Sequence, residues 1–258
     1  SEIQNINKEL TDSITYAQRI QQAILPKEST IKKQLSDSFI LYKPKAMVSG
    51  DFYWFSEQAD RVVFAVIDCT GHGVPGAFMS MIANDLLNQI VNEKGVYDPA
   101  LVLSELDKKI HSSFTQNNSD LEIQDGMDIA FCVLDKKKNS LEYAGANCSM
   151  LLINNGRMKE YESQRFSIGG YVREKKKFKT TKINLKKGDA IYLFTDGYAD
   201  QFGGNEGKKF KSKQLKQLLL SSSHKPMKEQ KEILNQTFKT WKGKLEQVDD
   251  ILIFGIKV

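Results

Sequence analysis

The chain has 258 residues, 40% hydrophobic and 27% charged, enough to bury a sizeable core in one large domain or two small ones. No apolar run approaches the roughly 18–20 residues a membrane span requires, so a soluble, cytoplasmic chain is expected. The formal charge of +5 comes from scattered lysines without interleaved aromatics, which excludes a dedicated nucleic-acid surface.

Residues 2–25 predict a helix. Ile3, Ile6, Leu10, Ser13, Ala17, Ile20 and Ile24 recur at alternating spacings of three and four, an a/d seam with one polar member, and Pro26 ends the run. Such a helix either packs on its own domain or serves as a dimer arm. From residue 39 the pattern changes to short aromatic or β-branched runs: FILYKP (39–44), DFYWF (51–55) and RVVFAVID (61–68) predict strands. A helical period follows over 74–92 with Pro75 placed for its first turn. A second helix spans 98–114, N-capped by Asp98, with Leu103, Leu106, Ile110 and Phe114 on one face.

Strands return at 128–135, 141–146, 149–153, 181–185 and 189–195, several apolar on both faces and therefore buried between layers. Helices are expected at 211–221 and 226–241, and 250–258 closes the chain as a strand. Strands and helices in blocks, rather than in βαβ alternation, predict an α+β fold with antiparallel sheet. The lysine triplets at 136–138 and 175–177 read as solvated turns. Cys69, Cys132 and Cys148 have no metal spacing and two lie in apolar runs, which predicts reduced thiols.

Carboxylates recur where apolar strands meet turns. Asp51 follows Ser-Gly, Asp68 ends VVFAVI, Asp196 ends AIYLFT, and Asp249 and Asp250 precede ILIFGI. Singly, each is an ordinary turn residue. Together, at one edge of a sheet, they would suit a hard cation such as Mg²⁺ or Mn²⁺, and several such charges call for more than one ion. Gly71 and Gly73 would let backbone approach closely, and a helix starting near residue 74 would aim N–H groups at an anion. Spacing alone leaves convergence open.

SGDFYW (49–54), DCTGHGVPGAFMSM (68–81), GDAIYLFTDGYAD (188–200) and VDDILIF (248–254), in this order, resemble the SpoIIE-like branch of the metal-dependent PP2C (PPM) Ser/Thr phosphatases. YAQRIQQAILP (16–26) resembles the helix that often precedes that domain, so the resemblance covers about residues 16–258. It implies an α-β-β-α sandwich of two antiparallel sheets over residues 27–258, preceded by a linker or regulatory helix at 1–26. It also implies two Mn²⁺ or Mg²⁺ ions held by Asp51, Asp68, Asp196, Asp249 and the Cys69 backbone carbonyl, with Asp68 bridging.

Asp250 stays an alternative to Asp249. Metal-activated water would attack phosphoserine or phosphothreonine directly, so no side-chain nucleophile is required. The broader family carries DGHGG; here His72 comes four residues after Asp68, and it either lines the site with Gly71 or fixes the loop by hydrogen bonding. No arginine in the N-terminal strands matches a phosphate ligand, and Lys43 and Lys45 read as surface residues. The first residue, Ser1, reads as a cut end, with an upstream sensor or receiver domain expected. The expected substrate is a phosphoprotein of the anti-anti-sigma type, and residues 2–25 are a candidate homodimer arm. A catalytically silent binding module is the alternative reading.

Overall fold

The computed structural model describes residues 2–115, 125–170 and 176–258. The N-terminal pattern folds as α1 (Glu2–Ile24), and a further short helix, α2 (Glu28–Gln34), follows Pro26. Strands β1 (Ser38–Lys43), β2 (Asp51–Gln58) and β3 (Arg61–Cys69) lead to α3 (Val74–Leu87), with Pro75 in its first turn. The helix expected to run to residue 92 changes its winding after Leu87 and continues as a π-helical segment, Asn88–Glu93. α4 (Pro99–Thr115) begins where the Leu101 N–H donates to Asp98 Oδ1 at 3.0 Å, the predicted N-cap.

β4 (Gly126–Asp135), β5 (Ser140–Ala146), β6 (Met150–Asn154), β7 (Arg157–Tyr161), β8 (Ile168–Gly169), β9 (Thr181–Asn184) and β10 (Ala190–Phe194) follow. The chain then forms α5 (Gly197–Asp200), β11 (Phe202–Gly203), β12 (Lys208–Lys209), α6 (Ser212–Ser222), α7 (Met227–Lys242) and β13 (Ile251–Lys257). No helix among the described residues is long and apolar enough to cross a membrane.

Among the described residues the strands form two large antiparallel sheets, β1-β13-β10-β6-β7 and β2-β3-β4-β5-β9 with β8 paired to β4, and a separate two-stranded ribbon, β11-β12. Alternation along β3 shows how the two large sheets stack. Val62, Phe64 and Val66 face the other sheet, meeting Leu193, Leu252 and Phe254, with the Phe64 and Phe254 rings 5.6 Å apart. Val63, Ala65 and Ile67 face the opposite way, onto Leu87, Leu103 and Leu106 of α3 and α4. The outer face of the first sheet, through Tyr192 and Ile253, is covered by Leu215, Leu234 and Phe238 of α6 and α7. The result is the predicted helix–sheet–sheet–helix sandwich. Each fully buried large apolar side chain contributes about 1.5–3 kcal/mol to it.

One surface reading changes, and the burial along α1 is uneven. Of the lysines at 175–177, Lys175 lies outside the described residues. Lys176 is not solvated: its side chain is 3% exposed and its ammonium meets Asp107 Oδ1 of α4 at 2.8 Å and the Gly169 carbonyl. In α1, Gln21 is buried in the domain and the seam residues Ala17 and Ile24 beside it are half-buried, while the seam residues Ile3, Ile6, Leu10 and Ile20 are 72%, 58%, 58% and 41% exposed.

Candidate metal centre

Antiparallel register sets three carboxylates in a row. Asp51 of β2 lies opposite Asp68 of β3, and Asp68 lies opposite Asp128 of β4. By strand parity Asp68 and Asp128 share the inter-sheet face of Val66 and Ala130, and Asp51 shares that of Tyr53. From the other sheet, Asp196 follows β10 and Asp249 stands before β13. Asp68, Asp128, Asp196, Asp249 and Asp250 line one cleft of about 260 Å³, with Cys69, Thr70, Gly71, His72 and Ser167 also on its wall. Asp51 is 2% exposed behind it, and Thr195 Oγ1 donates to its Oδ2 at 2.6 Å.

Local chemistry explains why the sequence bends here. Gly71 and Gly73 have φ of 85° and 69°, the left-handed region that glycine enters without penalty. Thr70 clamps this bend to β4: its N–H and Oγ1 donate to the Gly126 carbonyl at 2.9 and 3.0 Å. In the TDG segment, a Cβ on Gly197 would collide with the Asp250 carbonyl oxygen, so glycine is what lets the two carboxylate-bearing loops touch.

The electrostatics are one-sided. Burial, then the charges of Asp196 and Asp128, push the Asp68 carboxyl up to about 7. Burial first, then the Asp68 charge, holds Asp51 well above the usual carboxylate range. Asp128 is raised by burial, and Asp196 by burial and then by Asp200 and Asp249. No lysine or arginine among the described residues lines the cleft. Gathering carboxylates without a counter-charge is unfavourable unless cations offset it, and oxygen donors without a thiolate fit Mg²⁺ or Mn²⁺. Among the described residues no three acidic, imidazole or thiol groups close on one point as a finished coordination shell; the carboxylates stand around the cleft.

The structure thus brings Asp51, Asp68, Asp196 and Asp249 together. Asp250 is engaged otherwise: its two oxygens accept the backbone N–H groups of Lys45 at 2.7 Å and Gly50 at 2.8 Å, which fastens the loop leading to Asp51. His72 is exposed on the cleft wall, and no hydrogen bond to its ring is formed among the described residues; Thr70, rather than His72, ties the loop down. Burial pushes the Cys69 thiol well up, so it stays protonated. Lys43 and Lys45 do not line the cleft.

Three features escaped sequence reasoning. Asp128 heads an apolar run like the other carboxylates, a signal that was available. Its Oδ1 accepts from Ser167 Oγ at 2.6 Å and from Asn147 Nδ2 at 3.3 Å, and no local pattern announces either partner. Gln21, 3% exposed, reaches from α1 to the Ser49 backbone.

The sequence model of the family described as Stage II sporulation protein E (SpoIIE) matches residues 58–258. Phosphoserine phosphatase RsbU of Bacillus subtilis (strain 168) is 26% identical over 200 residues, covering 77% of this chain and 56% of RsbU. The chain therefore spans only a little over half the length of that curated relative. The SiaA-PP2C domain of Pseudomonas aeruginosa superposes with a TM-score of 0.88 at 34% identity, covering 100% of both chains. The structure of the PP2C phosphatase domain and a fragment of the regulatory domain of SpoIIE from Bacillus subtilis shares the fold. Its TM-score is 0.67 at 17% identity, over 86% of this chain and 63% of that one. By the extent of the family match and by its likeness to the SiaA domain, the chain belongs to the SpoIIE-like branch of the PP2C phosphatases.

Proposed function

We propose that this chain is a metal-dependent phosphoserine/phosphothreonine protein phosphatase, the output domain of a bacterial signalling protein. The observation that carries the reading is the set of buried carboxylates around one cleft, where burial raises Asp51, Asp68, Asp128 and Asp196 together and their mutual charge adds to it at Asp51, Asp68 and Asp196. Asp51, Asp68, Asp196 and Asp249, with the Cys69 carbonyl, would hold two Mn²⁺ or Mg²⁺ ions. When bound, the ions supply Lewis acidity and a source of hydroxide near neutral pH.

The chain's own residues do the positioning. Thr195 orients Asp51 and also accepts the Leu252 N–H at 3.1 Å, joining the two sheets at the cleft. Asp250 acts on the Lys45–Gly50 backbone rather than on a ligand. The protonated, buried Cys69 is no nucleophile, in keeping with direct hydrolysis. RsbU is named a phosphoserine phosphatase, which supports a phosphoprotein substrate, and we take a small protein of the anti-anti-sigma type as the partner. In this reading α1 relays the state of an upstream sensor or receiver, by dimerising or by repacking on the domain. Three buried free cysteines agree with a reducing, cytoplasmic setting.

The test is hydrolysis of an aryl phosphate and of a phosphoserine peptide with Mn²⁺, Mg²⁺ or chelator, comparing wild type with Asp68→Asn and Asp196→Asn. Metal-dependent turnover lost in both variants supports the reading. A folded wild-type chain that binds metal without turnover would mean a silent binding module instead.

A further inference from the structure

β1 is the edge strand of its sheet, and no strand among the described residues pairs with its outer side. The Lys257 N–H donates to Asp37 O at 2.9 Å, which sets the parity of the β1–β13 ladder. Residues 39, 41 and 43 therefore turn their backbone groups toward β13, and Ser38, Ile40 and Tyr42 turn theirs outward. No backbone or side-chain hydrogen bond among the described residues reaches those outward groups. The edge is not open surface either. It forms one wall of a groove of about 620 Å³ bordered by α2 and α7 and lined by all six residues of β1. On α7, Asn235 holds a buried Oδ1 without a hydrogen-bond partner, and it too lines this groove. A row of unpaired N–H and C=O groups is a template for another strand. Set in a groove beside an unmet acceptor, it fits one extended segment.

Charge narrows what that segment is. Lys32, Lys43, Lys228 and Lys231 line the groove against only Glu28 and Glu232. Lys239 and Lys242 add positive charge next to Lys43. Glu28 already meets Lys32 at 3.1 Å and Lys231 at 3.6 Å, the second pair reaching from α2 to α7. Such half-exposed pairs contribute little and yield readily to an entering chain. A second copy of this chain is a poor occupant, since two such edges meeting would set lysines against lysines.

We propose that this groove binds an acidic, extended segment of another protein, added as a strand along the free edge of β1. Backbone pairing with Ser38, Ile40 and Tyr42 supplies the docking, and carboxylates on the segment meet the lysines of α2 and α7. The surface shares no lining residue with the carboxylate cleft, so it is a recruitment site separate from the chemistry.

Selection of phage-displayed random ten-residue peptides on the intact chain tests this. The expected winners carry alternating acidic residues, and a synthetic winner shifts the amide resonances of Ser38, Ile40 and Tyr42. Lys228→Glu with Lys231→Glu weakens that peptide at least tenfold while hydrolysis of an aryl phosphate is unchanged. N-methylation of alternate peptide amides abolishes binding. Failure to enrich any acidic sequence overturns the proposal, as does a winner that tolerates both charge reversals or leaves the three amides in place.

Discussion

Gln21 of α1 grips both sides of the Ser49 backbone, accepting the Ser49 N–H at 3.0 Å and donating to Ser49 O at 2.6 Å. The same amide nitrogen reaches Ser80 Oγ of α3 at 2.9 Å. Two residues on, the Asp51 N–H donates to Ser49 Oγ at 3.1 Å, so the N-terminal helix and the carboxylate cleft share one buried polar link. Gln21→Leu leaves the Ser49 N–H and C=O unmet, at a cost of roughly 1–3 kcal/mol for each buried group. We expect a melting temperature lower by several degrees and at least tenfold lower activity at limiting Mn²⁺, partly restored at saturation. A folded variant with unchanged Mn²⁺ half-saturation would disconnect α1 from the site.

The adjacent aspartates should behave differently. Asp250→Asn replaces an acceptor of two backbone N–H groups with one that turns a donor toward one of them, destabilising the fold by about 1–3 kcal/mol. Asp249→Asn removes one negative charge from the crowded cleft, so in chelator it should leave the melting temperature equal or higher while metal binding falls at least tenfold. Melting and Mn²⁺ titration of both variants decide it: equal stability loss in the two would remove the distinction.

Stability without metal should fall as pH rises. Asp51, Asp68, Asp128 and Asp196 all keep their protons to higher pH in the folded chain than unfolded carboxylates, which titrate near 4. The folded state then binds more protons than the unfolded one between about 4 and the Asp68 midpoint of about 7, so raising pH through that window favours unfolding. In chelator the melting temperature should drop between pH 5 and 8. Added Mg²⁺ should raise it more at pH 8 than at pH 5. A chelated protein that grows more stable across this range contradicts the crowded-carboxylate account.

Asp128 depends on partners from two loops, Asn147 with φ of 49° and Ser167 just before β8. Asp128 lines the cleft and its charge acts on Asp68, so we propose it as a further ligand, and groups that orient a ligand typically matter tenfold to a hundredfold in metal affinity or activity. Ser167→Ala and Asn147→Ala should each raise the Mn²⁺ concentration needed for half-maximal activity about tenfold. Calorimetric titration of Mn²⁺ should show the same change without turnover. Wild-type affinity in both variants would make Asp128 a bystander.

How much of this was legible follows from distance along the chain. Asp51, Asp68, Asp196 and Asp249 each stand at the end of an apolar run; blocks of strand and helix pattern gave an α+β fold with antiparallel sheet, and the two-sheet sandwich came from the family resemblance alone. Asp128 carries the same mark, yet its place opposite Asp68 is a matter of β3–β4 register, which no single run contains. The Gln21–Ser49 link spans 28 residues, and the Lys176–Asp107 pair spans 69, so a lysine in a polar stretch gave no hint of burial. α2, with seven residues, is too short for periodicity to speak. The Asp249–Asp250 ambiguity has the same origin: adjacent residues differ only in what faces them, here the backbone amides of a loop about 200 residues earlier.

The exposed seam of α1 leads to the last prediction. Ile6 and Leu10 are each 58% exposed, and α1 meets the domain only further along, at Ala17, Gln21 and Ile24, so the N-terminal half of the seam supplies little to the fold of one chain. Polar substitution there should change monomer stability by no more than about 0.5 kcal/mol. If the seam pairs two chains, as a three-heptad a/d pattern allows, Ile6→Glu with Leu10→Glu must act on mass before anything else. Light scattering at micromolar concentration should give twice the chain mass for wild type and one chain mass for the variant. Activity should change together with mass, because Gln21 carries the position of α1 to Ser49. A wild type that is already monomeric at these concentrations ends the dimer-arm reading and leaves α1 as a helix that acts only through its own domain.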